Sequence, residues 1–182
     1  MSNVKQAAVV VVLVAGSALA GFMAYNASQP APAEAPVVEV KSDAIGSLEL
    51  KAPSGEIFTL DHWNGQPQIV NFWATWCGPC REEMPVLVKA HSDYADKGLA
   101  VIGLSMDYPD DIELVQQFVE EYKVEFPILM AVEEGNKLAD GYGAENFVLP
   151  ISVFVKADGT VSGIHTGLLT AEDAEKELSK LF

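Results

Sequence analysis

Basic residues are scarce in this chain of 182 residues: 11 Lys and Arg stand against 26 Asp and Glu, for a formal net charge of −15. A surface of that sign repels phosphate, which argues against nucleic acid as a partner. The acidity serves solubility, or recruits basic partner proteins. Cysteine is scarcer still, with only Cys77 and Cys80. There is no second C-x-x-C and no H-x-x-x-H, so the roughly four ligands of a zinc site are missing. His62, His91 and His165 are widely spaced and read as structural or surface residues. Haem attachment needs a His directly after the second Cys, and that position is Arg81. A disulfide closing so short a loop removes little chain entropy, so a purely structural staple is a poor use of both cysteines. Internal repeats are absent.

What is present is a C-x-x-C at a strand-to-helix junction, the setting in which it reads as a redox dithiol. Ile69-Val70-Asn71-Phe72-Trp73 is a short apolar run typical of a buried strand. After Cys80, Met84, Leu87, Val88 and His91 recur at helical steps. Cys77 and Cys80 therefore lie one turn apart at a helix start. Unpaired N–H groups and the helix dipole stabilise a thiolate there, and the thiolate is the nucleophile of disulfide exchange. Cys77, at the exposed edge, is expected to attack; Cys80, a turn deeper, to resolve the mixed disulfide. Pro79 suits the first turn, where a missing N–H costs nothing, and Gly78 leaves room for a partner chain.

The stretch Phe72 to Cys80, with Trp76-Cys77-Gly78-Pro79-Cys80 at its centre, resembles the active site of the thioredoxin superfamily, and Pro85 matches that family's helix-kinking proline. More narrowly, the chain from Val37 to Phe182 is similar to the membrane-anchored TlpA/ResA group of thiol–disulfide oxidoreductases. The resemblance implies an α/β thioredoxin-like fold: a central mixed sheet flanked by helices, an N-terminal β-hairpin and a central strand–helix insertion. It also implies that Leu149-Pro150 is a cis-proline loop facing the cysteines and, with Trp76, Gly78 and Pro79, binds substrate. Read from its residues alone, Pro150 could also be a trans proline opening a strand. Ile151-Ser152 replaces a threonine pair frequent in the family, and Asn71 replaces the buried Asp of thioredoxins themselves. Glu83 matches a Glu that lies near the cysteines in the TlpA/ResA group. Its helical position, about 60° from Cys80, faces the same side, where a carboxylate raises thiol pKa and relays protons. The alternative is that Glu82 and Glu83 are solvated first-turn acids. Trp73 is expected in the core; Tyr142, Met106 and Asp107 carry no functional expectation.

In chain order, Met1–Gln6 is a short cytoplasmic start with Lys5. Ala7 to Tyr25 is a run of nineteen uncharged, mainly apolar residues. At about 1.5 Å per residue it just spans a bilayer core of about 30 Å. It is read as an uncleaved transmembrane anchor, with a signal peptide cut after Ala18-Leu19-Ala20 as the alternative. Residues 26–36 alternate Pro and Ala as a semi-rigid spacer, and 37–182 form the domain. Strands are expected around Pro53-Ser54-Gly55, at 69–73, 99–105, 126–131, 151–155 and 161–165. Helices are expected at 77–95, 110–123, 136–142 and 170–181. The Gly-Pro pair is that of thioredoxin, whose potential lies near about −270 mV, so the expected role is reductant. The expected location is the extracytoplasmic side of the inner membrane, or the soluble periplasm after cleavage. The expected partners are disulfide-bearing proteins and an upstream membrane reductant, with the protein a monomer and no cofactor or metal. Family substrates include apocytochrome c cysteines and copper-site proteins. Two other activities fit the dithiol: a peroxiredoxin-type peroxidase, which favours a Thr-x-x-Cys and a distant second Cys, and a copper chaperone, for which His165 is the nearest added ligand.

Overall fold

The computed structural model describes residues 45–144 and 146–182. The apolar span expected at 7–25, the spacer at 26–36 and the first residues of the domain at 37–44 lie outside the described residues. Among the described residues no helix is long and apolar enough to cross a membrane.

The two apolar runs become the centre of the sheet. β3 (Gln68–Trp73) and β4 (Ala100–Ser105) are buried at every residue and pair in parallel, Ile69 opposite Val101 and Phe72 opposite Leu104. Such strands need cover on both faces, and alternation of side chains directs it. On one face Trp73 meets Phe118 of α2 (Ile112–Tyr122), ring centroids 4.5 Å apart. Asn71 on the same face meets Glu83 of α1 (Gly78–Tyr94). On the other face Phe72 packs edge-on against Tyr142 of α3 (Gly135–Tyr142) and against Phe147. α4 (Ala171–Leu178) packs beside α1.

The described strands form one sheet in the order β2-β1-β5-β4-β3-β6-β7. β1 (Glu49–Lys51) and β2 (Ile57–Thr59) are the expected N-terminal hairpin, joined to β5 (Ile128–Met130) where Lys51 faces Met130. β5 runs parallel to β4 as the expected added strand. β6 (Ile151–Val155) and β7 (Val161–Thr166) are antiparallel neighbours of β3. The thioredoxin-like mixed sheet is therefore present.

Several boundaries differ from the sequence expectation. β5 begins at Ile128 rather than Phe126, because Pro127 has no N–H to donate to a ladder. The second hairpin strand stops at Thr59, and Leu60 starts a tight 3₁₀ turn, Leu60–Trp63. α2 starts at Ile112, after a separate turn at Pro109–Asp111. α4 ends at Leu178, three residues before the expected Leu181. Its N-terminus is capped by Thr170, whose Oγ1 accepts from the Asp173 N–H at 3.2 Å.

Gly103 sits mid-β4 between Asn71 and Ile128. A Cβ there would meet the Ile128 side chain, the Trp73 indole nitrogen at 3.0 Å and Phe126 at 3.4 Å. Gly103→Val should therefore lower stability by about 1–3 kcal/mol. The check is a urea titration with a lower midpoint and an unchanged slope; a wild-type midpoint would show slack in this face.

Candidate active site

β3 ends at Trp73, and four residues later Cys77 is the N-cap of α1. The Cys77 backbone is extended (φ −86°, ψ 108°), and its Sγ accepts from the Cys80 N–H at 3.3 Å. The sulfur thus takes the place of the usual oxygen cap on the unpaired first-turn donors. Pro79 lies in that first turn. Cys77 and Cys80 are joined as a disulfide.

Cys77 is more enclosed than its position at the helix edge suggests: 6% of it is exposed, against none of Cys80. What separates them is the surface each faces. Cys77 lines an open groove with Trp76, Pro79, Met106, Tyr108 and Leu149, and Cys80 does not. Phe147 and Val148 extend the groove's apolar wall. Trp76, Tyr108 and Val148 are all more than half exposed, although hydrophobic. Gly78 is exposed, with open space where a Cβ would stand. The Leu149–Pro150 bond is cis; Leu149 is on the groove, while Pro150 is buried and its carbonyl accepts from the Gly167 N–H at 2.9 Å. Trp73 is fully buried, as expected.

Glu82 is exposed but Glu83 is wholly buried, so the two acids do not share the solvated role. Glu83 lies one helical turn past Cys80 on the inner side of α1. One of its carboxyl oxygens accepts from Asn71 Nδ2 at 2.7 Å, the other from the Leu169 N–H at 2.8 Å. Asn71 Nδ2 also faces Ser152 Oγ at 3.0 Å, so the two departures from family pattern, Asn71 and Ser152, touch each other. Burial pushes the Glu83 carboxyl up from 4.5 to about 7, against the opposing pull of the Leu169 and Asn71 hydrogen bonds and the nearby His165. At neutral pH this group therefore exchanges a proton readily.

Sequence reasoning gave no role to the residues on the far side of Cys77. Met106 and Tyr108 wall the groove, and the buried Asp107 between them accepts hydrogen bonds from Thr75. One general signal was available: in α/β sheets, sites gather past the C-terminal ends of parallel strands, and Met106–Tyr108 directly follow β4. Tyr142 is buried against Phe72, and burial raises its pKa. Nothing places it at the dithiol. His165 Nε2 is 3.0 Å from the Leu168 carbonyl oxygen.

The raised Glu83 pKa has a consequence for folding. The native state holds this proton more tightly than the unfolded chain, so its stabilising share is complete below about 4.5 and is lost as pH rises through about 7. The span corresponds to a loss on the order of 3 kcal/mol. Glu83→Gln carries no such titration. The stability of the variant relative to wild type should therefore improve steadily from pH 5 to pH 8, read from urea midpoints. A difference that stays flat over that range would mean the carboxyl is not held in its neutral form.

The family model described as the AhpC/TSA family matches residues 41–164. The thioredoxin-like protein YneN of Bacillus subtilis is 36% identical over 132 residues, 72% of this chain and 74% of the relative. The thiol-disulfide oxidoreductase ResA of Bacillus thuringiensis is 34% identical over 127 residues, 70% of each chain. Among solved structures, a thiol:disulfide interchange protein of the thioredoxin family from Chlorobium tepidum is 27% identical. It aligns with a TM-score of 0.65 over 74% of this chain and 92% of that one. With the Cys77–Cys80 pair in place at the start of α1, the chain belongs to the AhpC/TSA family of thioredoxin-like proteins and is a thiol–disulfide oxidoreductase of the ResA type.

Proposed function

We propose that the protein reduces disulfides of other proteins outside the cytoplasm, held at the membrane by residues 7–25 and spaced from it by residues 26–36. The observation that carries the reading is the asymmetry of the dithiol. Cys77 opens onto an apolar groove bounded by Trp76 and Leu149, while Cys80 is closed off. An extended substrate segment laid along this groove reaches one sulfur only. The acidic surface suits basic substrate proteins. Disulfides handled in cytochrome c maturation or metal-site assembly are of the class proposed.

In the reduced enzyme the Cys77 thiolate attacks one sulfur of the substrate disulfide, and the other substrate sulfur leaves as a thiolate. Cys80, losing its proton, then attacks the Cys77 sulfur, releases the second substrate thiol and closes the Cys77–Cys80 bond. The substrate gains two electrons and two protons, and the enzyme loses them. Glu83, able to hold or yield a proton near neutrality, is the proposed acceptor for the Cys80 step. A membrane reductant restores the dithiol. Trp76, Gly78, Pro79, Leu149 and Pro150 are the proposed substrate-binding residues. A peroxidase with a distant resolving cysteine fits less well, since the partner of Cys77 is Cys80. A copper chaperone drawing on His165 finds that ring's Nε2 already beside the Leu168 carbonyl.

The test uses the full chain in cells. Cys80→Ser should accumulate covalent protein complexes that a reductant cleaves and that fractionate with membranes, while Cys77→Ser should form none and lose insulin-type disulfide reduction. Trapping by Cys77→Ser alone would reverse the two roles. Activity that survives in both variants would remove the redox reading, and complexes in the soluble fraction would remove the anchor.

A further inference from the structure

At the C-terminal end of β4 the side chain of Asp107 is wholly buried, and none of the ion pairs among the described residues involves it. An isolated buried carboxyl is costly unless hydrogen bonds replace its water. Here they come mainly from the loop that carries the dithiol. The Thr75 N–H lies 3.0 and 3.2 Å from its two oxygens, and Thr75 Oγ1–H donates to one of them at 2.6 Å. Ser105 Oγ–H donates to the other at 2.8 Å and accepts from the Asp107 N–H at 3.1 Å, fixing the carboxyl's own orientation. Beside this contact the Met106 N–H donates to the Trp73 carbonyl at 2.8 Å. The short link from β3 to Cys77 is thereby fastened to the segment after β4.

That segment has a second task. Met106 and Tyr108, the neighbours of Asp107, line the same groove as Trp76 and Cys77, the residues after Thr75. One carboxyl thus sets the distance between the wall that would hold a bound chain and the sulfur that would attack it. Apolar contact could hold the two segments together at less desolvation cost. What hydrogen bonds of fixed direction add is a defined geometry, and disulfide exchange needs one, because reaction rates fall steeply when reacting atoms are misplaced by about 1 Å.

We propose that Asp107, acting through Thr75, is a positioning residue that holds Trp76 and Cys77 in register with the groove wall of Met106 and Tyr108, and so sets the line of attack on the substrate disulfide. The proposal rests on the disulfide-reductase reading of the dithiol, and its test separates the two.

Thr75→Val keeps the side chain's shape and the backbone hydrogen bond and deletes only the hydroxyl. It should lower kcat for insulin reduction by about tenfold, with KM changed by less than about twofold. Thr75→Ser, which restores the hydroxyl, should recover most of the rate. Asp107→Asn should fall in the same direction, and the double variant should be no worse than the poorer single one, since both cut one contact. The proposal is overturned by a Thr75→Val enzyme with wild-type kcat, by a loss confined to KM, by failure of Thr75→Ser to recover, or by single losses that multiply in the double variant. A second measurement reads Cys77 without any protein substrate: its rate with a small aromatic disulfide reagent in the Cys80→Ser background. Thr75→Val should slow that rate several-fold, and an equal rate overturns the proposal. If wild type fails to reduce insulin, the reductase reading falls, while this second rate still decides the role of Asp107.

Discussion

The carboxyl of Glu83 ties together the parts that must stay in register for the dithiol to work. It projects from the inner face of α1, one turn past Cys80, and receives Asn71 from β3 and the Leu169 N–H from the loop between β7 and α4. Asn71 in turn reaches Ser152 of β6. A single side chain therefore fixes the active-site helix against two strands of the sheet and the chain's last loop. Polar networks of this kind are strong when satisfied and expensive when broken, because the surrounding dielectric is low. The constraint carries a cost of its own: enclosure moves the carboxyl to about 7. The anchor of the helix is thus also a group that holds or yields a proton near neutral pH.

The two ends of the first helical turn consequently live in different surroundings. Behind Cys80 lie the sheet and Glu83; in front of Cys77 lie the groove, the exposed Trp76 and the cis Leu149–Pro150 loop. The fold produces this difference by ending β3 just before the helix begins, so that the dithiol sits past the sheet's edge with one sulfur turned outward. Asp107 fastens the outward side as Glu83 fastens the inward side. Two buried acids, one on each flank, thus hold the segment that carries the dithiol: Asp107 through Thr75, and Glu83 through Asn71 and Leu169.

Much of the fold was legible in the chain. The runs at 69–73 and 99–105 read as buried strands, and their neighbours followed from turn signals and helical spacing. The errors fell where local rules compete: Pro127 shortened β5, and Pro109 opened a separate turn before α2. The cysteines were legible from the motif. The cis Leu149–Pro150 bond was not, for the residues alone allowed either isomer and only the family resemblance pointed to one. Glu82 and Glu83 look alike in sequence; helical geometry favoured Glu83, but its burial depends on Asn71 and Leu169, 12 and 86 residues away. Asp107 was passed over for the same reason, since its partner Thr75 lies 32 residues upstream. Tyr108, Phe147 and Val148 are exposed apolar residues in separate loops, and no periodicity marks them as one wall.

The central claim is that the two sulfurs are unequal, with Cys77 the one that meets a partner. Partial alkylation of the reduced protein tests it most directly: less than one equivalent of iodoacetamide, then peptide mapping to find which cysteine carries the label. The account predicts label on Cys77 with Cys80 nearly unmodified. Label shared equally, or found first on Cys80, would contradict it.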